Sequence, residues 1–458
     1  MDIKRVYFVG VGGIGMAALA RYYKSLNIPV AGYDRTPSPL TAELEKEGIV
    51  VSYSDSMDAV PEEYRKPKGT LIVYTPAVPK ENVPLTFFRN GGFEIFKRAQ
   101  VLGHVTRSSR GLCFAGTHGK TTTSSMAAHI LASGSTGCNA FLGGILKKYN
   151  SNLILSPSSP FSVIEADEYD RSFHQLNPYV AVINATDPDH LDIYGTEEAY
   201  LESFAHFTEL IRPDGKLLVH TGLKLVPRPP HNVPVYTFSR SDGDFHAANI
   251  RMGNGTIVFD FVYPDGVIRD IELGVPVEIN IDNAIAALAA VYLAGELTPE
   301  LARKAISSYP GVERRFEFHL KEAGDNGRVI IDDYAHHPDE LKQSIASVRA
   351  LYPHRKLTVA FQPHLYSRTR DFAKEFAEAL SQADELVLID IYPARELPIE
   401  GVTSKIIFDQ VKIENKIMIS KEDFVDTMKN RNFEILLTVG AGDLNLFVPR
   451  LIEMLPKK

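Results

Sequence analysis

The clearest chemical signal in the chain is a glycine-rich segment, GTHGKTT at residues 116–122. An apolar strand is predicted just before it at residues 112–115, and a helix is predicted directly after it. Backbone N–H groups of such a loop can surround a phosphate, and the positive end of the helix dipole attracts it. Lys120 can then reach the terminal phosphates, and the Thr121 hydroxyl can bind Mg²⁺. The loop is two residues shorter than the general G-x4-G-K-S/T pattern, yet this order of elements predicts a nucleoside triphosphate site.

A second glycine-rich turn, GVGGIG at residues 10–15, joins the first predicted strand to the first predicted helix. Asp34 ends the next strand, near the distance at which a carboxylate binds a ribose. Read alone, this arrangement indicates a dinucleotide cofactor and an oxidoreductase. The geometry selects only a pyrophosphate near a helix N-terminus, so another nucleotide, or a tight turn without a ligand, is an alternative.

Acidic and histidine side chains follow two further predicted strands. Glu165 stands at the end of a strand at residues 161–164, and His190 lies in a polar loop after a strand at residues 179–183. Carboxyl ends of parallel strands meet at one edge of a sheet, so we expect both side chains near Lys120. Carboxylate and imidazole groups can hold a metal ion against bound phosphates. Thr121, Glu165 and His190 are therefore the candidate Mg²⁺ ligands.

Two polar motifs mark the last third of the chain. DDYAHHP at residues 332–338 and FQPHLYSR at residues 361–368 each follow a predicted strand. Either motif alone could cap a helix. Together, at neighbouring strand ends, they predict the polar rim of a substrate cleft.

Strands and helices alternate in three blocks, which predicts an α/β protein with doubly wound parallel sheets. Residues 106–110 are the predicted linker after the first block. Residues 216–276 are rich in turn signals, which favours a smaller mixed or antiparallel sheet beside the second block. The predicted domains are residues 1–108, 109–312 and 313–458.

Composition narrows the class of protein. The chain has 458 residues, enough for about three domains, and a formal net charge of −8. This acidic balance argues against a nucleic-acid partner. Cys113 and Cys138 form no disulfide framework, which favours a reducing compartment. With no signal peptide and no apolar run long enough for a bilayer, we expect a cytoplasmic protein without membrane insertion.

Nine blocks along essentially the whole chain resemble the Mur ligases, the ATP-dependent amide-forming enzymes of peptidoglycan synthesis. The blocks are VGVGGIGM (9–16), AGTHGKTTT (115–123), EADEYDRSF (165–173), NATDPDHLDIYG (184–195), NIDNAIAALA (280–289), GVERRFEF (311–318), DDYAHHP (332–338), FQPHLYSRT (361–369) and VGAGD (439–443). The resemblance implies an N-terminal Rossmann-like domain, a central P-loop ATPase-type α/β domain with a small flanking sheet, and a C-terminal Rossmann-like doubly wound sheet. It is strongest to members that join L-alanine to the carboxylate of UDP-N-acetylmuramate, with ATP and Mg²⁺.

The resemblance also implies roles for individual residues. It replaces the dinucleotide at the first glycine turn by the UDP of a sugar nucleotide, bound by Gly12, Gly13, Ile14, Gly15, Asp34, Thr75, Pro76 and Ala77. It assigns ATP to Gly116, Thr117, His118, Gly119, Lys120, Thr121, Thr122, Asn280, Asn283, Arg315 and Asp333. It places the incoming amino acid at Tyr334, His336 and Arg368. The implied catalytic residues are Lys120, Arg315 and, as the base for the amine, His336.

Three alternatives stay open on the sequence alone. A murein-recycling ligase, which joins the same sugar nucleotide to a tripeptide, tends to replace the FQPH…YSR block that this chain retains. An NAD-dependent oxidoreductase and a non-catalytic nucleotide-binding module are the others.

The chain also departs from the pattern of some Mur ligases. Several sister ligases use a carbamoylated lysine after the metal histidine, and this chain has no lysine between His190 and Lys216, which argues against those sisters. Leu365 and Ile279 also stand where relatives commonly carry Arg and His.

Overall fold

Alternating strands and helices build sheets that are mostly parallel, which confirms the predicted α/β class. The structure is a computed structural model, and it describes residues 3–75, 77–189, 191–253, 255–324, 327–394 and 396–456. Pro76 and His190, two of the predicted site residues, lie outside the described residues. None of the described helices combines the length and apolarity needed to cross a bilayer.

The first sheet has five parallel strands in the order β3-β2-β1-β4-β5. Its strands and helices are β1 (Arg5–Val9), α1 (Ile14–Ser25), β2 (Val30–Tyr33), α2 (Pro39–Lys46), β3 (Val50–Ser52), β4 (Thr70–Tyr74), α3 (Val83–Asn90), β5 (Glu94–Lys97) and α4 (Arg98–Ser108). Two 3-10 turns, Met57–Ala59 and Glu62–Arg65, precede β4. This order places β1 at the centre, with β2 and β3 added on one side and β4 and β5 on the other. Such sheets bind ligands at this switch between β1 and β4.

The predicted linker at residues 106–110 is wrong. Helix α4 continues to Ser108, and the next strand begins at Arg110. The hydroxyls of Thr106 and Ser108 donate hydrogen bonds to the carbonyls of Gly103 and His104, at 2.9 and 3.1 Å. Because these hydroxyls donate to backbone carbonyls of α4, the helix continues through this polar segment.

The second sheet carries the glycine-rich loop at its centre. Its seven strands follow the order β12-β11-β10-β6-β9-β7-β8, parallel except for the β7–β8 pair. The elements are β6 (Arg110–Ala115), α5 (Lys120–Ser133), β7 (Asn139–Leu146), β8 (Ser151–Ile154), β9 (Phe161–Glu165), a 3-10 segment (Tyr169–Gln175), β10 (Val180–Ile183), α6 (Leu191–Tyr194), α7 (Glu197–Glu209), β11 (Lys216–His220) and β12 (Val235–Phe238).

A small sheet and two helices follow. They are β13 (His246–Gly253), β14 (Thr256–Tyr263), β15 (Gly266–Glu272), α8 (Ile279–Leu293) and α9 (Pro299–Ser307). The small sheet has the order β13-β14-β15 and confirms the separate sheet predicted in this region. The predicted start at residue 216 is wrong, because β11 and β12 continue the central parallel sheet instead.

The third large sheet has the order β16-β17-β21-β18-β19-β20. Its elements are β16 (Glu317–Lys321), β17 (Val329–Asp333), α10 (Pro338–Leu351), β18 (Leu357–Phe361), α11 (Tyr366–Asp371), α12 (Ala373–Leu380), β19 (Glu385–Ile389), α13 (Lys405–Phe408), β20 (Lys416–Ile419), α14 (Phe424–Lys429), β21 (Ile435–Val439), a 3-10 turn (Leu444–Phe447) and α15 (Val448–Met454). The edge strand β16 pairs antiparallel with β17, and the other pairs are parallel. Sequence patterning did not predict β16.

The chain divides into two compact units. The first comprises Met1–Ala248, Asp260–Arg269 and Asp282–Ser308, and the second comprises Asn249–Phe259, Asp270–Ile281 and Tyr309–Lys458. In the first unit, one continuous cluster of buried side chains joins the five-stranded and seven-stranded sheets. The predicted domain boundaries after residues 108 and 312 stay predictions.

His129 is an ionisable side chain buried in the apolar core of the first unit. It lies in α5, and its Nε2 is 3.1 Å from the Ser308 hydroxyl. Burial, reinforced by the positive charge of Lys148, lowers the His129 pKa to about 4. Folding therefore favours the neutral imidazole.

We expect His129 to make folding less stable as the pH falls from about 6.5 to about 4. In that range the unfolded chain binds a proton at His129 and the folded chain does not, a difference on the order of 3 kcal/mol. The His129→Gln variant should lose this component of the pH dependence, measured by urea unfolding at several pH values. The matched control is His354→Gln, at an exposed position. Identical pH profiles for wild type and His129→Gln would contradict the assignment.

Candidate active site

The glycine-rich loop lies between β6 and α5, as the sequence predicts. Gly116 has a φ of +136°, and a Cβ there would lie 2.8 Å from the backbone nitrogen of Ala185. The Thr117 N–H donates to the Ala185 carbonyl at 3.1 Å, so the loop rests against the chain that leaves β10. Gly119 has a φ of +80° directly before the first helical residue, Lys120. Both glycines hold backbone that another residue would strain or displace.

Lys120 is held by two acceptors. Its Nζ donates to the Gly116 carbonyl and to Glu168 Oε1, each at 2.7 Å. The Glu168 side chain is 1% exposed. Burial raises the Glu168 pKa, and the charge of Lys120 opposes that shift. The lysine is thus an anchored cation at the glycine-rich loop.

Glu165 and Thr121 lie together beside Lys120, as the sequence predicts. Glu165 ends β9, and its Oε2 accepts the Gly143 N–H at 3.0 Å. A Cβ on Gly143 would lie 2.3 Å from that oxygen, so the carboxylate needs the glycine backbone. Burial raises the Glu165 pKa, while a hydrogen bond from Thr121 and the charge of Lys120 lower it. Hydroxyl and carboxylate oxygens of this kind fit the ligand preference of Mg²⁺.

The remaining predicted ATP residues of the first unit surround the same loop. Asn283 Oδ1 accepts the Thr123 hydroxyl at 3.0 Å, and Asn184 Nδ2 donates to that hydroxyl oxygen at 2.9 Å. A Cβ on Gly119 would touch both amides. His118 is exposed in the loop and Thr122 is half-buried in the first turn of α5. Asn280, in the second unit, is buried and donates to the Val275 carbonyl at 3.1 Å.

At the first glycine turn, Asp34 is a structural partner of the turn itself. Its Oδ2 accepts the Gly12 N–H at 2.7 Å, and its Oδ1 accepts the Thr36 N–H at 3.3 Å. Gly13 precedes α1, whose first residues are Ile14 and Gly15. The Asp34 carboxylate therefore shapes the turn where a ligand phosphate is predicted.

Two neighbours complete this turn. The Thr75 methyl group packs against Gly10, and the Ala77 N–H donates to Thr75 Oγ1 at 3.5 Å. Arg98, the first residue of α4, places Nη1 2.9 Å from where a Gly15 Cβ would stand. The structure therefore adds a guanidinium that sequence patterning missed.

The two motifs of the second unit follow β17 and β18, and their side chains come together as predicted. The predicted adjacency of the two strands is wrong, because β21 lies between them in the sheet. His336 lies between Tyr334 and His364, with ring centroids 5.2 and 6.1 Å away. Arg368 Nη1 donates to His364 Nδ1 at 3.4 Å. The guanidinium of Arg315 lies 5.8 Å from the centre of the Tyr334 ring. Tyr334, His336, Arg315 and Arg368 thus form one polar cluster.

His336 is set up as a proton acceptor. Its Nδ1 is 3.0 Å from the Tyr334 carbonyl, which can only accept, so Nδ1 carries the proton and Nε2 keeps its lone pair. Burial is the largest influence and lowers the His336 pKa. The Glu340 carboxylate and the Tyr334 carbonyl oppose this shift, and the cations of Arg368 and Arg315 reinforce it. The imidazole is therefore neutral over most of the physiological range.

Asp333 lies beside this cluster, already engaged by the protein. Its carboxylate accepts hydrogen bonds from the Phe316 N–H at 3.2 Å and from the Ser344 hydroxyl. Burial raises the Asp333 pKa, and the Ser344 hydrogen bond opposes that shift.

Comparison with known proteins agrees with this architecture. Family models described as "Mur ligase family, catalytic domain", "Mur ligase middle domain" and "Mur ligase, glutamate ligase domain" match residues 5–110, 114–291 and 314–450. The chain belongs to the Mur ligase family. Two relatives, from Phocaeicola vulgatus and Parabacteroides distasonis, are each 56% identical over 100% of this chain and 99% of their own. Both are named UDP-N-acetylmuramate–L-alanine ligase.

Solved structures of Mur ligases share the three-domain fold. The UDP-N-acetylmuramate–alanine ligase of Thermotoga maritima matches with a TM-score of 0.77 and 26% identity, covering 98% of each chain. A murein peptide ligase from Psychrobacter arcticus also covers 98% of both chains, with a TM-score of 0.59 and 21% identity. The latter supports the fold alone.

The residues of this Mur ligase site that sequence reasoning missed each contact a site residue that is distant in the sequence. Glu168, Gly143 and Arg98 act through partners far along the chain, such as Lys120 at a separation of 48 residues. The signal for Glu168 was present, since it lies in the EADEYD block, but clustered acids suggest a solvated loop. Burial distinguishes it from its neighbours.

Asp332, next to Asp333, is a further buried carboxylate of the second unit. It is 2% exposed, and its Oδ1 accepts the Thr438 hydroxyl at 2.6 Å. Its Oδ2 lies 3.5 Å from Arg314 Nε, an ion pair without a hydrogen bond between those atoms. Burial raises the Asp332 pKa to about 6, against the effects of Thr438 and Arg314.

We expect Asp332 to make folding less stable as the pH rises from about 4 to about 6. The folded chain keeps the proton that the unfolded chain releases, a difference on the order of 3 kcal/mol. Asp332→Asn should remove this loss, measured as the wild-type-minus-variant difference in unfolding free energy across that range. Asp390→Asn, at an exposed position, is the control. A difference that does not change with pH would refute the raised pKa.

Proposed function

We propose that this Mur ligase joins L-alanine to the carboxylate of UDP-N-acetylmuramate and converts ATP to ADP and phosphate. The observation that carries the proposal is 56% identity, over the full chain, to relatives named for that activity. The retained cluster of Tyr334, His336 and Arg368 supports it from the geometry.

The sugar nucleotide is assigned to the first glycine turn. Gly12, Gly13, Ile14 and Gly15 present the start of α1, where helix N–H groups favour a diphosphate. Arg98 adds a positive charge above Gly15. We propose that Asp34, Thr75 and Ala77 complete this site, with Pro76 outside the described residues.

ATP is assigned to the phosphate loop, with Lys120 at the terminal phosphates. Thr121 and Glu165 would hold Mg²⁺, which supplies positive charge against the phosphate oxygens when bound. Asn280 and Asn283 for adenine, Arg315 for the γ-phosphate and Asp333 for the ribose are proposals that rest on the resemblance. His190 as a metal ligand rests on it too.

The reaction needs an activated carboxylate. A carboxylate oxygen attacks the γ-phosphorus, the bond to the β-phosphate oxygen breaks, and an acyl phosphate and ADP form. The amine of L-alanine then attacks the acyl carbon, and phosphate leaves from the tetrahedral intermediate. Lys120 and Arg315 neutralise developing charge, and His336 Nε2 accepts the proton that the amine loses.

Domain limits and location are further proposals. The matched ranges 5–110, 114–291 and 314–450 support domains at residues 1–108, 109–312 and 313–458. We also propose a cytoplasmic location, because ATP is a proposed substrate.

The decisive experiment measures phosphate release from ATP with UDP-N-acetylmuramate and a panel of acceptors. We expect turnover with L-alanine, and a several-fold preference over glycine because one buried methyl group is worth roughly 1 kcal/mol. Lys120→Ala, which removes the phosphate-loop cation, should abolish turnover while the protein stays folded. Equal kcat/KM for L-alanine and for L-Ala-D-Glu-meso-diaminopimelate would favour the murein-recycling alternative instead.

A second variant tests the metal assignment. Gly143→Ala should push the Glu165 carboxylate away from its backbone donor and raise the Mg²⁺ concentration for half-maximal rate roughly tenfold. Gly134→Ala is the control, since Gly134, like Gly143, has no positive φ, and a Cβ there would meet nothing closer than the flexible Leu301 side chain at 3.2 Å. An unchanged Mg²⁺ titration for Gly143→Ala would remove Glu165 from the metal site.

A further inference from the structure

Glu168 is a buried acid of the first unit to which the proposed reaction assigns no role. It lies three residues after Glu165 and is 1% exposed, with Oε1 2.7 Å from the Lys120 ammonium. Its Oε2 is buried without a hydrogen-bond partner among the described residues. Its backbone carbonyl accepts the Tyr194 hydroxyl at 2.5 Å, which fixes this stretch of chain. The carboxylate is therefore held against the lysine.

Such a pair is hard to explain by stability alone. Removing two charges from water costs several kcal/mol per ion, and an apolar pair of similar volume is often as stable. The unpartnered Oε2 adds the cost of a buried acceptor without a donor. Since burial already raises the Glu168 pKa, the protein holds this carboxylate against a penalty.

The geometry of the ammonium group shows what the pair achieves. Lys120 has three N–H donors, and the Gly116 carbonyl and Glu168 Oε1 occupy two of them. Two fixed acceptors on a tetrahedral nitrogen leave one direction for the third donor. Without Glu168, the flexible side chain would have to find that direction each time ATP binds.

We propose that Glu168 is a positioning residue, which holds the Lys120 ammonium so that its third N–H faces the terminal phosphates of ATP. This inference rests on the proposed role of Lys120 in the ligase reaction. Glu168 itself touches neither substrate. Its contribution appears in the phosphoryl transfer, where a misplaced cation costs rate more than it costs binding.

The test compares Glu168→Ala and Glu168→Gln with the exposed control Glu198→Ala. For Glu168→Ala we expect kcat to fall roughly 10- to 100-fold, since the lysine loses its fixed orientation. ATP affinity, measured by calorimetry without the other substrates, should change less than about threefold, because removing a negative charge near phosphates offsets the lost orientation. Glu168→Gln keeps an oxygen acceptor and should recover part of kcat. A role in folding alone would lower Tm without this split.

A double-mutant cycle ties the effect to the lysine. In a Lys120→Arg background, which keeps a cation but not the geometry of the ammonium group, Glu168→Gln should lower kcat by less than it does in the wild type, whereas independent residues would give additive changes. Wild-type kcat in both Glu168 variants, or additive effects in the cycle, would overturn the proposal. If Glu168→Ala does not fold, Glu168→Gln decides. Turnover of the wild type with L-alanine tests the ligase assignment by itself, so its failure is distinguishable from a failure of this proposal.

Discussion

The burial of parallel strands on both faces is the constraint on which this structure depends. Strand β6 and its neighbours β9 and β10 are almost wholly inaccessible from Leu112, Phe161 and Val180 onward. Such strands leave no room for polar chemistry along their length. The reactive side chains therefore stand where the strands end, and the backbone of the following loops carries the recognition.

Short apolar runs with polar ends allowed much of the fold to be predicted. The strands predicted at residues 112–115, 161–164 and 179–183 are found as β6, β9 and β10, because each is a buried apolar run with polar or glycine residues after it. Strand β16 was not predicted, because most of its residues are half-buried and its sequence contains no apolar run. The last residues of α4 were predicted to be a linker, because their polar side chains suggested a loop; hydroxyls such as that of Thr106 instead donate hydrogen bonds to the helix backbone.

Some residues of the candidate site could likewise be predicted from the sequence, and others could not. Lys120, Thr121 and Glu165 could be predicted because each lies at the end of a strand or in the loop and helix start that follow it, and each carries the chemistry that phosphate and metal require. The hydrogen bond from Gly143 to Glu165 spans 22 residues, and the same separation joins Gly12 to Asp34. Neither can be read from local pattern, since the register of distant elements decides which groups meet. The sequence therefore indicated the side chains that would react or bind, and only the three-dimensional structure identified the groups that hydrogen-bond to them.

Buried acidic side chains are paired with basic side chains in both units. A site for polyphosphate needs cations, but an isolated buried cation is costly. Within the first unit Glu168 balances Lys120, and within the second Asp332 balances Arg314. Each acid is buried and its pKa is raised, so each is retained at a cost in stability. For Glu168 the proposed ordering of Lys120 before an anionic ligand arrives accounts for this cost, because ordered donors need not reorganise when charge develops.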